Sequence, residues 1–416
     1  MTKQRKTLLS KSLANLFAEG QARTIYVKTI YQLLCLMVGV STLSGCIEEF
    51  EADISFEDSS VLVVEGTICS SKMNEFVLSL TQPVNSFDEP RMVTRARVSV
   101  LGSDGSEYKM QENNGLYTGW IGELAPDVKY CLHIESNGEV YESEPQKPLP
   151  TEKIADVRGV QNTPESNIDV LVTPDAPFDP NKPNYYSWTY DETWAVYPDY
   201  TTNIVYDTEK RQAVRLEHQF PELGWKDATG TGILVAASSN YEGHHIQQLK
   251  MYDIDRSNER MYHRYSGLVH QRAISRAEYE YSLARLQASS DMGGLFSPLP
   301  SALPTNIRCL TSNKHVIGFV GCSLNTSEYR FFLNAIDFSI KYPIKEDGRK
   351  WFENPSDMLC CNLVNEGLFL CVWQDERMMG LKLKTAWASK DLLDVRLKGA
   401  YIEEPDFWSL EENQSY

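Results

Sequence analysis

The sequence predicts a mainly β protein, an immunoglobulin-like β-sandwich followed by a larger β-rich domain with one clear α-helix. Three observations carry that prediction. Apolar residues alternate with period two between Ser60 and Glu144, pairs such as Asn114-Gly115 punctuate the runs, and one stretch beginning at Ser275 has helical spacing and a capping signal.

Ahead of the β region, Lys3, Arg5, Lys6, Lys11, Arg23 and Lys28 precede an apolar run from Ile30 to Val40. This is the charge-then-apolar order of a secretory signal, and the run falls short of the ~20 apolar residues of a spanning helix. It closes at Leu43-Ser44-Gly45-Cys46, a lipobox-like sequence in which small residues give a peptidase access to the backbone and the thiol receives lipid. The expectation is a lipoprotein signal peptide over 1–45 and lipidation at Cys46. The chain would then be held at a membrane by more than one acyl chain, an anchor stable where a single chain is marginal. Residues 46–58 open with Ile47, Glu48, Glu49, Phe50 and Glu51 and form an acidic tether. Charge kept for solubility and an acidic export signal both account for it.

The 416 residues carry a formal charge of −17. Loss of the basic leader leaves the remainder more acidic still. A field of that sign repels phosphate backbones, so a nucleic-acid partner is not expected. Seven cysteines follow the lipobox: Cys69, Cys131, Cys309, Cys322, Cys360, Cys361 and Cys371. An exported chain can oxidise such thiols, and the odd number leaves at least one unpaired.

The sandwich is expected over 59–149. Leu62, Val64 and Ile68 share one face, as do Ala96, Val98 and Val100, and Val128, Tyr130, Leu132 and Ile134. Asp104-Gly105, Asn114-Gly115 and Asn137-Gly138 tolerate the positive φ of tight hairpins. Cys69 and Cys131 fall on the outward parity, either as free thiols or as a cross-strand pair. Three prolines in Glu144-Pro145-Gln146-Lys147-Pro148-Leu149-Pro150 stiffen the chain and mark a boundary, with a β-rich C-terminal domain over 150–416.

In that second domain Ile168, Val170 and Val172 alternate. The run Tyr185 to Tyr197 then places Tyr186, Trp188, Tyr190 and Trp194 on one face of a strand. Such a face is either core or a stacking platform for a sugar or heterocycle. These four residues are the candidate ligand-binding set. The helix opens at Ser275 with Glu278 three residues on, Ile274 and Tyr279 are placed as a hydrophobic staple, and Gly293-Gly294 ends it. Tyr279, Leu283 and Leu286 are its expected buried face.

No catalytic or metal constellation emerges. His244-His245 would point to opposite faces of a strand. Asp253-Ile254-Asp255 starts like a calcium loop, but Asn258 and Arg264 stand where it needs Gly and Glu. Cys360, Cys361 and Cys371 lack zinc spacing. No cofactor motif and no nucleophile motif occurs. The chain is accordingly expected not to be an enzyme.

The lipobox, Leu62-Val63-Val64-Glu65-Gly66, Gly115-Leu116-Tyr117 and Tyr141-Glu142-Ser143-Glu144 resemble the opening of the Bacteroidetes lipoprotein family known as domain of unknown function 4249. The likeness continues through Tyr185-Tyr186-Ser187-Trp188, Arg264-Tyr265-Ser266-Gly267-Leu268-Val269-His270-Gln271, Val316-Ile317-Gly318-Phe319 and Pro405-Asp406-Phe407-Trp408. The resemblance implies an immunoglobulin-like or carboxypeptidase-regulatory-like first domain, an outer-membrane address and genes beside TonB-dependent receptors. It supplies no catalytic residues. Leu392 and Val395 stand where members of the family carry a Cys-x-x-Cys pair, so no disulfide or redox role is carried over.

Three functional readings follow, in order. The first is a non-catalytic accessory protein that captures an unknown nutrient ligand for a TonB-dependent outer-membrane receptor. The second is a structural or adhesive envelope protein, and the third a hydrolase of surface polymers, for which no facing carboxylates or activated nucleophile can be read.

Overall fold

The structure is a computed structural model that describes residues 60–409 and 414–415, apart from 83–88, 176–182, 217–218, 291–302 and 380. The signal segment, Cys46, the acidic tether and Gly293-Gly294 lie outside the described residues. Ser60 to Tyr416 forms one compact unit.

Alternation in the first β region translates into two stacked sheets. One pairs Leu62–Cys69 with Lys72–Leu80, followed outward by Leu116–Ile121 and Gln111–Asn113, while the other pairs Arg97–Gly102, Tyr130–Ser136 and Glu139–Ser143. The inward residues Leu62, Val64, Ile68, Val98, Val100, Leu132 and Ile134 share one core with Phe76, Leu78, Tyr117 and Tyr130. Complete burial of each such side chain stabilises by roughly 1.5–3 kcal/mol. The hairpins turn where the Asn-Gly pairs stand. Asn114 and Gly115 have φ of 49° and 82°, Asn137 and Gly138 of 51° and 81°, the double positive φ of a type I′ turn.

This sandwich is not confined to 59–149. Strand Ile307–Cys309 pairs with Glu139–Ser143. Val316–Gly318 and Gly321–Ser323 both pair in parallel with Leu62–Cys69. The proline-rich segment is therefore no free spacer. Gln146 bridges Tyr130, its side-chain amide donates to the Val320 carbonyl at 2.9 Å, and the Leu149 amide donates to Cys322 at 3.1 Å. A buried Asn306 completes the seam: its Nδ2 donates to the Val320 carbonyl and its Oδ1 accepts from the Val320 amide, both at 2.9 Å. Cys69 and Cys131 belong to different sheets and so cannot form the cross-strand pair; all seven cysteines are free.

A second sandwich sets a six-stranded sheet against a three-stranded one. The larger is built on the twelve-residue strand Tyr185–Val196 and on Arg264–Ala273 and Ser327–Asn334, and the smaller comprises Ile154–Val160, Ile168–Pro174 and Leu249–Ile254. A third cluster joins the hairpin Ile204–Asp207 and Gln212–Arg215 to the sheet of Lys350–Glu353, Phe369–Asp375 and Leu383–Ala388.

The expected helix runs from Arg276 to Ser290, with Ser275 Oγ accepting from the Glu278 amide at 3.1 Å. Two details differ from the sequence reading. Glu278 does not complete a capping box, because its carboxylate pairs with Arg272. The buried positions are Glu278, paired there with Arg272, and Tyr281, while Tyr279 and Leu283 are half-buried and Leu286 is exposed. A second helix, Asp357–Asn365, has no strong sequence signal; Ser356 caps it through the Leu359 amide at 3.2 Å. No described helix is long and apolar enough to cross a membrane.

Thr151 and Asn325 clasp each other where the chain passes between the sandwiches. The Thr151 amide donates to Asn325 Oδ1 at 2.9 Å, Asn325 Nδ2 donates to the Thr151 carbonyl at 2.9 Å, and the Thr151 hydroxyl donates to the Asn325 carbonyl at 2.8 Å. Asn325→Ala strands two backbone groups and is expected to cost about 2–3 kcal/mol. In urea, fluorescence and circular dichroism should report both sandwiches of the wild-type protein unfolding together, with the variant's transition shifted bodily to lower urea. Separate transitions in the wild type would contradict the shared seam.

Candidate functional site

Three neighbouring strands of the large sheet open at one end. Trp194 is opposite Tyr265, and Tyr265 opposite Leu333, so the exit of Tyr185–Val196, the entry of Arg264–Ala273 and the exit of Ser327–Asn334 lie together. A pocket of about 360 Å³ forms there. Its walls are Tyr197 and Asp199 after the first strand, Glu259, Tyr262 and His263 before the second, Tyr342 and Lys345 after the third, and Lys398. Volumes of about 300–1,000 Å³ are typical of small-molecule sites.

Each wall is fixed by the packing beneath it. The turn Glu259–Met261 is held from inside by Met261, which is fully buried, and by Arg260, whose guanidinium lies 3.3 Å from Glu192 Oε2 and 5.1 Å from the Trp194 ring. Glu192 sits in the core, where its Oε1 accepts from the Tyr265 hydroxyl at 3.0 Å, and that hydroxyl lies 2.8 Å from the Tyr252 hydroxyl. Burial raises the Glu192 carboxyl above its ordinary value, while Arg260 and the Tyr265 hydroxyl oppose that rise. A buried carboxylate thus orients the loop that presents Tyr262 and His263. On the opposite wall the Leu392 carbonyl accepts from the Asp199 and Tyr200 amides at 2.9 and 3.1 Å. Lys398 leaves the turn Val395–Lys398, which closes on Gly399 at φ 81°, a conformation that favours glycine.

Aromatic faces dominate the interior. Tyr197 lies 4.2 Å from the His263 ring, Tyr262 lies 5.5 Å from Tyr342, and the Tyr342 hydroxyl donates to the Tyr262 carbonyl at 3.3 Å. Asp199 is gripped by two ammonium groups, Lys345 and, at 2.8 Å, Lys398. Burial works against its ionisation, but the two lysines outweigh it and hold its carboxyl below the ordinary range. Burial, with Lys345 adding to it, lowers His263, which favours the neutral imidazole. Glu259 is occupied by Lys226 at 2.8 Å. Among the described residues no Ser or Cys lines the pocket.

The four aromatic residues chosen from the sequence belong elsewhere. Tyr186 and Trp188 are 0 % exposed and Trp194 6 %, all in the core of the second sandwich. Their polar atoms are largely spent within the protein: the Tyr186 hydroxyl donates to Glu152 and Trp188 Nε1 donates to Gln271, both at 2.9 Å. Tyr190 stacks on Tyr252 at 3.7 Å and, with Trp188, borders a small cavity of about 120 Å³. The face is core because the three-stranded sheet packs over it, so the set does not form a ligand platform. Only Tyr197, one step past the end of the same strand, presents its ring to the pocket. The other wall residues come from loops up to two hundred positions away, beyond any spacing motif.

Other sequence candidates also resolve. His244 ends a 3₁₀ turn rather than lying on a strand. Asp253 accepts from Asn167 and Asp255 accepts from the Ser257 amide, each at 2.7 Å, so both serve local turns and pairs. Among the described residues no three His, Cys, Asp or Glu side chains are grouped to hold a metal.

On the outer face of the large sheet, His270 sits between two carboxylates, Nδ1 at 3.1 Å from Glu328 and Nε2 at 2.9 Å from Asp191. Burial alone would lower its pKa, but the two carboxylates outweigh burial and raise it. The imidazolium therefore stabilises the fold fully below the unfolded value of about 6.5, and the contribution is lost as pH rises through the higher folded value. His270→Gln should cost about 1 kcal/mol at pH 6, a small figure because both carboxylates are well exposed, and little at pH 9. Urea denaturation of both proteins at the two pH values checks this; a penalty independent of pH would rule out the charged form.

No curated protein matches the chain. Among solved structures, a two fibronectin type-III domain segment from chicken tenascin aligns over 51% of this chain and 90% of that one, at 11% identity and a TM-score of 0.14, too slight a likeness to support an argument. The model of the family described as Domain of unknown function (DUF4249) matches residues 47–329, most of the chain. The chain belongs to the DUF4249 family.

Proposed function

We propose that this protein is a lipid-anchored, non-catalytic binding protein of the outer membrane that captures a small ring-shaped nutrient and serves a TonB-dependent transporter. The observation that carries the reading is the aromatic pocket at the open end of the three strands, where Tyr197, Tyr262, Tyr342 and His263 offer ring faces. Aromatic walls with a few fixed polar groups suit reversible binding of a small ligand. The carboxylates there are already engaged by lysines, which favours holding a ligand over transferring its protons. Membrane attachment rests on the lipobox at Cys46 and the leader before it.

Labelling cells with an alkyne-bearing fatty acid should tag the wild-type protein and leave Cys46→Ser untagged and absent from outer membranes. Crosslinking the anchored protein there should recover a TonB-dependent transporter. A tagged protein that recovers no transporter would end the accessory role, and an untagged wild type would end the anchor.

A further inference from the structure

Two ammonium groups of the pocket converge on one carboxylate, a local excess of positive charge in an acidic chain. Of the two carboxylates in the pocket lining, Glu259 is held from outside the pocket by Lys226, and Asp199 faces both lysines of the lining, Lys345 and Lys398, in a sequence that carries −17. Those two ammonium groups share the single carboxylate of Asp199. Lys345 is 60 % exposed and stands at the mouth, while Lys398 is more enclosed and also donates to the Tyr197 carbonyl at 3.3 Å. One positive charge is thus left over beside the ring faces of Tyr197 and His263, screened from bulk water on the Lys398 side.

Resting on the binding reading above, we infer that the pocket selects a six-membered ring bearing a carboxylate. The ring stacks against Tyr197 and Tyr262, and the carboxylate takes up the charge of Lys345 and Lys398 that Asp199 alone does not neutralise. The side chains supply ammonium donors for the anion, and a cavity of about 360 Å³ admits one or two rings but not a long polymer. Sugar acids and aromatic acids share this chemistry.

Calorimetry on the full chain in detergent, with glucuronate, glucose and benzoate as probes, tests it. An acid should bind at least tenfold more tightly than glucose, weaken as salt rises, and lose that preference in Lys398→Met; Tyr197→Ala should weaken every probe that binds. Whichever acid binds more tightly identifies the source. Should Lys398→Met melt at lower temperature than the wild type, the exposed Lys345→Met carries the test. Glucose binding as tightly as either acid, or a preference that survives both lysine variants, overturns the acid selectivity and leaves ring binding standing. No heat with any probe, or binding of every probe unchanged in Tyr197→Ala, overturns both.

Discussion

The reciprocal clasp of Thr151 and Asn325 is the constraint on which the architecture depends. At that point the chain leaves the first sandwich, and at the same point, after an excursion through residues 303–324, it leaves that sandwich again. Two passing backbones would otherwise each present unsatisfied amides and carbonyls in a place where neither sheet can supply partners. The side chains of Thr151 and Asn325 supply them, and the Ala273 amide is drawn into the same knot through Thr151 Oγ1 at 3.0 Å. Asn306 repeats the device on the far side of the excursion. Side-chain amides are suited to this role because one group carries both a donor and an acceptor.

What could be read from the sequence was whatever is local. Period-two alternation identified the core faces of Leu62, Val98 and Leu132, and Asn-Gly pairs located turns whose φ values agree. Ser275 marked a helix start from one side chain and one amide. What could not be read was whatever depends on partners distant in the chain. Val316–Gly318 is a short apolar run whose place beside Leu62–Cys69 no local pattern encodes. Arg272 is only six positions from Glu278, but it comes within reach because the chain turns from strand into helix between them, and there it captures Glu278 and defeats the capping box. The aromatic run shows the limit most plainly: alternation placed Tyr186, Trp188 and Trp194 on one face, but whether a second sheet covers that face is a tertiary fact.

The pocket and the core beneath it are mechanically linked. Glu192 is the inward residue between Tyr190 and Trp194, and a carboxylate there is costly without partners. Its partners are Arg260 and Tyr265, which belong to the turn and strand that present Tyr262 and His263. The cost of burying that charge is offset by the Arg260 ion pair and the Tyr265 hydrogen bond, which also define one orientation of the Glu259–Met261 turn, since an apolar residue at 192 would leave Arg260 to seek solvent. A rigid scaffold can fix the course of a surface loop, and here the rigidity comes from a charged group inside that scaffold.

The parallel pairing of Leu62–Cys69 with strands near residue 320 also has a timing consequence. Anything that delivers the chain from its N-terminus exposes the Leu62–Cys69 edge about 250 residues before its partners arrive. At synthesis rates of about 5–20 residues per second, that edge stays open for roughly 10–50 s. It contains a single charged residue, Glu65, so it has little of its own to discourage pairing with a foreign strand. The first sandwich to be made is therefore among the last to be finished, and until then its safety depends on whatever shields a nascent strand in the cell.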